Sequence, residues 1–146
     1  MSAATDHVLG LSRRNARGYA DPTSYKVLKN LQHAENMARL LTYICSPYSG
    51  DVQANTALAR QFCGFAVAAG QIPLAPHLLF PQFMNEADQD ERELAMCFNK
   101  VLLSSCDAVW VYTGRVSKGM RAEIEWARDL ELPIRYFNAD FQEVTY

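Results

Sequence analysis

The sequence carries few of the marks by which specialised proteins are recognised. It has only three histidines in 146 residues, His7, His33 and His77, and none is paired with Asp or Glu at metal-ligand spacing. The four cysteines, Cys45, Cys63, Cys97 and Cys106, form no Cys-x-x-Cys pair and have no histidine at metal-finger spacing. They read as free thiols, buried as small hydrophobes in a reducing compartment. No metal and no cofactor is expected. Met1 to Gly10 has neither a basic start nor an apolar run, so no signal peptide is expected. No apolar stretch approaches the roughly 20 residues of a membrane span, and a cytoplasmic protein without a membrane partner follows. Basic residues are not in excess: 14 Lys and Arg stand against 16 Asp and Glu. That argues against a polymeric nucleic-acid partner. A small phosphorylated ligand needs only a local basic or amide-lined spot, and stays open.

What is present is an ordinary globular composition, 49% hydrophobic and 21% charged, at a length that suits one α/β domain. Residues 1–40 read as an N-terminal extension. Met1 to Ala20 is polar, with Arg13, Arg14 and Arg17 close together, and reads as flexible or loosely docked. Asp21-Pro22-Thr23-Ser24 reads as a turn and helix start. Val27, Leu28, Leu31, Ala34, Met37, Ala38 and Leu41 then recur at helical spacing.

From residue 41 to 146 strands and helices alternate. Leu41 to Cys45, Ile72 to Ala75, Asp107 to Tyr112 and Ile134 to Phe137 read as strands, with a weak fifth near Val144. Helices are expected over Asp51 to Gly70, Glu86 to Cys106 and Ser117 to Leu130. Their expected buried faces are Val52, Ala59, Phe62, Cys63, Ala66 and Val67 in the first and Leu94, Cys97, Phe98, Val101 and Leu102 in the second. In the third they are Met120, Ile124 and Ala127. This alternation predicts a doubly wound, flavodoxin-like or Rossmann-like parallel sheet of four or five strands flanked by helices. Ligands of such sheets bind at the carboxyl ends of the strands. The loops Ser46 to Asp51, Pro76 to Phe83 and Thr113 to Lys118 leave those ends.

The third loop holds the most chemistry. Ser117 is a good N-cap, Gly119 lets backbone amides approach a ligand, and the helix start is an anion site. Arg115 and Lys118 add positive charge. A Ser cap with a Glu in the early helix is also what plain helix energetics favours. Glu123 and Glu125 flank the core stripe on either side, and periodicity does not choose between them. His77, in the second loop, is a candidate ligand contact or a loop residue bonded to backbone.

A resemblance chooses. Tyr43-Ile44-Cys45-Ser46-Pro47-Tyr48-Ser49-Gly50-Asp51, Pro73-Leu74-Ala75-Pro76-His77, Cys106-Asp107 and Ser117-x-Gly119-x-x-x-Glu123 make residues 42–137 resemble the nucleoside 2-deoxyribosyltransferase superfamily. That superfamily includes the 2′-deoxynucleoside 5′-phosphate N-hydrolases. The spelling is similar to an uncharacterised bacterial and phage branch of it. The resemblance implies cleavage or exchange of the N-glycosidic bond of a (deoxy)nucleoside or its 5′-monophosphate. Glu123 is then the nucleophile and Tyr43 supports its carboxylate. Ser117 and Gly119 sit where the hydrolases hold a 5′-phosphate, and Ser46, Pro47, Tyr48, Ser49 and Gly50 belong to the first ligand loop. Where the family carries an Asp, eight residues before Asp107, this chain has Asn99. Asn can hydrogen-bond a sugar hydroxyl but does not exchange a proton at neutral pH. A binding protein of the same fold with impaired catalysis is therefore the alternative. Glu91 and Glu93 could replace the missing acid only from a shifted helix. Trp126 shares a face with Glu123 and Leu130 away from the core stripe, which points to a homodimer or higher homo-oligomer with Trp126 near the interface.

Overall fold

The computed structural model describes residues 22–146. The readings that rest on His7, Arg13, Arg14, Arg17 and the Asp21 cap lie outside the described residues. The chain divides into two units, with the boundary between Arg39 and Leu40. Within the first, α1 spans Pro22–Met37. Its leading proline has a preset φ and lacks only an N–H that the first turn leaves unused. Leu41, which the apolar spacing joins to this helix, instead opens the first strand of the second unit.

That second unit runs β1 (Leu41–Cys45), α2 (Val52–Ala68), β2 (Ile72–Leu74), two short 3-10 turns (Pro76–Leu78 and Phe80–Gln82) and α3 (Gln89–Ser104). It continues through β3 (Ala108–Tyr112), α4 (Lys118–Asp129), β4 (Ile134–Phe137) and β5 (Glu143–Val144). The sheet order is β2-β1-β3-β4-β5. The first four strands are parallel and β5 runs antiparallel to β4. This is the flavodoxin-like order. The turn from Asn138 to Gln142, closed by its own backbone bonds, is too short for a crossover, so the last strand must return antiparallel.

Alternation along the two central strands builds two cores. Tyr43, Cys45, Val109 and Val111 meet Leu103 of α3 and Met120, Ile124 and Ala127 of α4. Ile44, Trp110, Tyr112 and Phe137 meet Phe62 and Ala66 of α2 on the opposite face. Every residue of β3 is buried, as both-sided covering of a parallel strand requires.

Two expected stripes are corrected. On α2 the buried row is Asn55, Ala59, Phe62 and Ala66. Val52 and Val67 are exposed and Cys63 half-buried, because only one narrow row reaches the sheet. The α3 correction is larger. Leu94, Phe98 and Val101 are exposed at 48%, 38% and 64%, and Cys97 is exposed too. The helix turns Ala95 and Leu103 inward, with Leu102 half-buried. The small alanine lets the helix lie close to its neighbours, and the larger apolar residues fall on the outer side. Cys97 is thus not a buried thiol, whereas Cys45 and Cys106 are. Asp88 caps α3 by accepting from the amides of Asp90 and Glu91, so the helix starts at Gln89 and not at Glu86. Among the described residues no helix is long and apolar enough to cross a membrane.

Candidate active site

Strands β1 and β3 are neighbours, yet the chain leaves them toward opposite faces, β1 to α2 and β3 to α4. Such a switch point opens a crevice that no connection fills. A cleft of about 740 Å³ lies there, bounded by the loops after β1, β2 and β3 and by α3.

The first loop is held from both sides. Asn55, buried on α2, donates its amide to the carbonyls of Tyr48 and Ser49, both at 3.0 Å. Arg115 donates from Nη2 to the Ser49 carbonyl at 2.6 Å. Gly50 turns this loop with φ +99°, and a Cβ there would come within 3.2 Å of the Arg115 guanidinium. Arg115 therefore acts as a clamp between two loops and does not line the cleft. Tyr48, Ser49 and Gly50 line it, whereas Pro47 is fully buried and does not.

At the start of α4, Ser117 Oγ accepts from the Met120 amide at 3.2 Å, and Met120 Sδ accepts from the Ser117 amide at 3.4 Å. Gly119 faces open space: an added Cβ would meet only Ser117 Oγ, at 4.0 Å. Ser117, Lys118 and Gly119 all line the cleft.

Glu123 follows one turn on, half-buried and lining the cleft. Tyr43, on the face of β1 that packs against α4, donates its hydroxyl to Glu123 Oε1 at 2.9 Å. Burial pushes the Glu123 carboxyl up to about 7, and hydrogen bonds from the Cys45 thiol and the Tyr43 hydroxyl pull it partly back. Burial, and after it the Glu123 charge, hold the Tyr43 phenol well above its ordinary value, so it stays a donor. Glu125, in contrast, is exposed and pairs with Arg128 at 2.9 Å. The two carboxylates that periodicity leaves equivalent have opposite environments.

His77 Nε2 and Ser46 Oγ share a hydrogen bond of 2.8 Å, its direction set by the imidazole tautomer. Burial lowers the imidazole to about 4, so His77 is neutral near neutral pH. Both residues line the cleft. Asn99 lines it from α3; its Oδ1 is buried without a partner, while Nδ2 reaches only Met96 Sδ at 3.9 Å. Glu91 accepts from the Asn85 amide at 3.0 Å and Glu93 from Gln89 at 3.3 Å, and neither lines the cleft.

Several lining residues escape sequence reasoning: Glu86, Arg92, Phe80, Met96 and the exposed Val52. A signal existed for Arg92. Reading Asp88 as the cap of α3, with Glu91 three residues on, puts Arg92 in the first turn, beside the preceding loop. There its Nε donates to the Glu86 carbonyl at 3.3 Å. Phe80 carries no such signal, because its place depends on packing against Phe83 and Phe98.

Residues 40–137, which contain this crevice, match the family model described as Domain of unknown function (DUF7768). The chain belongs to that family. No curated protein matches it. Among solved structures, a 2-deoxyribosyltransferase from the psychrotolerant bacterium Bacillus psychrosaccharolyticus is similar at a TM-score of 0.53. The sequences are 15% identical, and the match covers 72% of this chain and 76% of that one. At that identity the likeness speaks to the fold of this DUF7768 domain.

Proposed function

We propose that this protein cleaves or exchanges the N-glycosidic bond of a (deoxy)nucleoside or nucleoside 5′-monophosphate, with Glu123 as the nucleophile. One observation carries the reading: a half-buried carboxylate lines the cleft, with a phenol on the neighbouring strand donating to it at 2.9 Å. The hydrogen bond holds one oxygen and leaves the other to attack the anomeric carbon. The glycosyl-enzyme ester that forms passes the sugar to water or to a second base, as in retaining glycosidases. Ser117, Gly119 and Lys118 offer amides and a cation to a 5′-phosphate. Ser46, His77 and the first loop contact the rest of the ligand, and Asn99 offers its unpartnered oxygen to a sugar hydroxyl. The likeness to a 2-deoxyribosyltransferase described as a biocatalyst for nucleoside synthesis supports this class of chemistry.

The test is release of free base, followed by chromatography, across a panel of nucleosides and mononucleotides. Glu123→Ala is expected to abolish turnover and keep the fold; a Glu123→Ala protein that releases base at the wild-type rate ends this mechanism. Asn99 favours a second reading, a nucleotide-binding or sequestering protein of the same fold. It predicts thermal stabilisation by nucleotides with no product formed.

In the same reading the chain works as a homodimer or higher homo-oligomer with Trp126 near the contact. An apolar groove of about 500 Å³, lined by Cys97, Val101, Trp126 and Leu130 between Lys100 and Asp129, supports it. Val101→Asp is expected to lower the mass measured by light scattering if the groove is that contact, and an unchanged mass removes the groove from it.

A further inference from the structure

The departing base needs somewhere to put the electron pair of the broken bond. A neutral purine or pyrimidine leaves as an anion unless an acid protonates it, and a positioned acid is typically worth about 10²–10⁴-fold. The lining of the cleft is poor in such acids. Asn99 has no exchangeable proton at neutral pH. His77 is half-buried, neutral, and tied to Ser46. Tyr48 is driven upward by burial and by the negative charge of Glu86 beside it, so its proton is held tightly. Glu123 is committed as the nucleophile in the reading above.

The same walls are suited to a cation. Two carboxylates, Glu86 and Glu123, line a cleft that also presents Tyr48 and Phe80; two cations, Arg92 and Lys118, line it as well, Lys118 at the helix start proposed for the 5′-phosphate. Aromatic faces and carboxylates together attract a flat, positively charged heterocycle. Phe80 is braced by Phe83 at 6.0 Å and Phe98 at 5.5 Å between ring centroids, so the wall is built and not a loose side chain. The volume of about 740 Å³ also sits in the upper part of the 300–1,000 Å³ range of ligand pockets.

We propose that the substrates of this cleft are N-glycosides whose base is already cationic at the glycosidic nitrogen, that is, pyridinium nucleosides and nucleotides. The inference rests on the N-glycosidic reading and names its substrate class. Glu123 attacks the anomeric carbon as the bond to the ring nitrogen breaks. The electron pair goes to that nitrogen and neutralises the pyridinium, so the base leaves as a neutral molecule with no proton from the protein. Water then opens the glycosyl ester at the same carbon. The sugar gains the hydroxyl, Glu123 returns as carboxylate, and one proton goes to solvent.

The experiment compares kcat/KM of the full chain on nicotinamide riboside, nicotinamide mononucleotide and nicotinamide adenine dinucleotide with that on 2′-deoxyinosine, 2′-deoxyadenosine 5′-monophosphate and thymidine. Free base is read by chromatography. The pyridinium compounds are expected to exceed the best neutral nucleoside by about 100-fold. Asn99→Asp, which restores an acid, is expected to narrow that ratio about tenfold by speeding the neutral compounds. Neutral nucleosides cleaved as fast as pyridinium ones overturn the proposal and leave the N-glycosidic reading standing. A ratio that Asn99→Asp does not change overturns the account through a missing acid. No base released from either class overturns the N-glycosidic reading and this proposal with it.

Discussion

The two faces of the sheet solve different problems. On the α2 face, Phe62 is fully buried; it stacks on Phe65 and Phe141, meets Tyr112 and Phe137 edge-on and lies tilted against Trp110. That face is closed, and its side chains find their partners within the protein. On the α3/α4 face, Tyr43 and Cys45 occupy core positions of the same strand, yet Tyr43 turns its hydroxyl toward Glu123, and the Cys45 thiol donates to the Met120 carbonyl at 3.8 Å. A buried carboxylate there, and the unpartnered oxygen of Asn99, cost stability that the closed face does not lose. The difference teaches where the fold stores stability and where it gives some up to keep a cleft open.

The largest effect is expected from Glu123→Gln, which keeps shape and removes the proposed nucleophile. A loss on the order of 10⁴-fold in turnover is expected, with the fold retained by circular dichroism. On the opposite face Phe62→Ala is expected to cost about 3–5 kcal/mol in urea unfolding, since five aromatic rings lose a shared partner. A cost below about 1 kcal/mol would show that the aromatic face is not the stable half.

The pH dependence of stability separates the two kinds of buried group. The folded-state carboxyl of Glu123 is raised to about 7, so the folded chain binds the extra proton between its ordinary range and pH 7. Its contribution is present at low pH and lost as pH rises through about 7. The folded-state imidazole of His77 is lowered to about 4, so its contribution is present above about 6.5 and lost as pH falls through 4. Each is worth roughly 3 kcal/mol at most, and with opposite slopes they offset one another between about pH 4.5 and 6.5. Glu123→Gln is therefore expected to gain stability over wild type as pH rises toward 8, and His77→Gln to flatten the loss on acidification. Parallel wild-type and Glu123→Gln stability curves over pH 4–8 contradict the buried-carboxylate picture.

Tyr43→Phe removes a donor that favours the ionised carboxylate. It is expected to move the acid limb of the pH–rate profile upward by about one unit. An unmoved limb assigns Tyr43 to packing alone. The smallest effect is expected at Gly119. Gly119→Ala adds a Cβ into open space and raises helix stability by about 0.5–1 kcal/mol, while it weakens nucleotide-induced thermal stabilisation by filling the cleft side of the helix start. An undiminished ligand response moves the anion site elsewhere.

The architecture was legible in the residues. The apolar runs of β1, β3 and β4, the glycine-ended α2, the Ser117 cap and the Met120–Ile124–Ala127 stripe are local patterns, and each element formed where its pattern stands. The lining of the cleft was legible for the three strand-end loops, because topology alone sends them to one crevice. Glu86 and Arg92 were not legible, since their places follow from a cap that periodicity does not register, and within the second loop nothing singled out Phe80, whose place follows from two short 3-10 turns.

By itself, then, the sequence determined the order and type of the elements, the parallel arrangement of the first four strands and the end of the sheet where the cleft opens. These follow from period, caps and connection length, which act within a few residues. The helical period left Glu123 and Glu125 equal and only the resemblance pointed to Glu123; the tertiary structure decided that Glu123 turns to the cleft and Glu125 to solvent, and which row of α3 faces inward. It also decided that Arg115 clamps a loop and does not await a ligand. A helical period defines a stripe but not the direction it faces. That direction is set by neighbours from distant parts of the chain: Tyr43 for Glu123, Arg128 for Glu125, and Ser49 for Arg115.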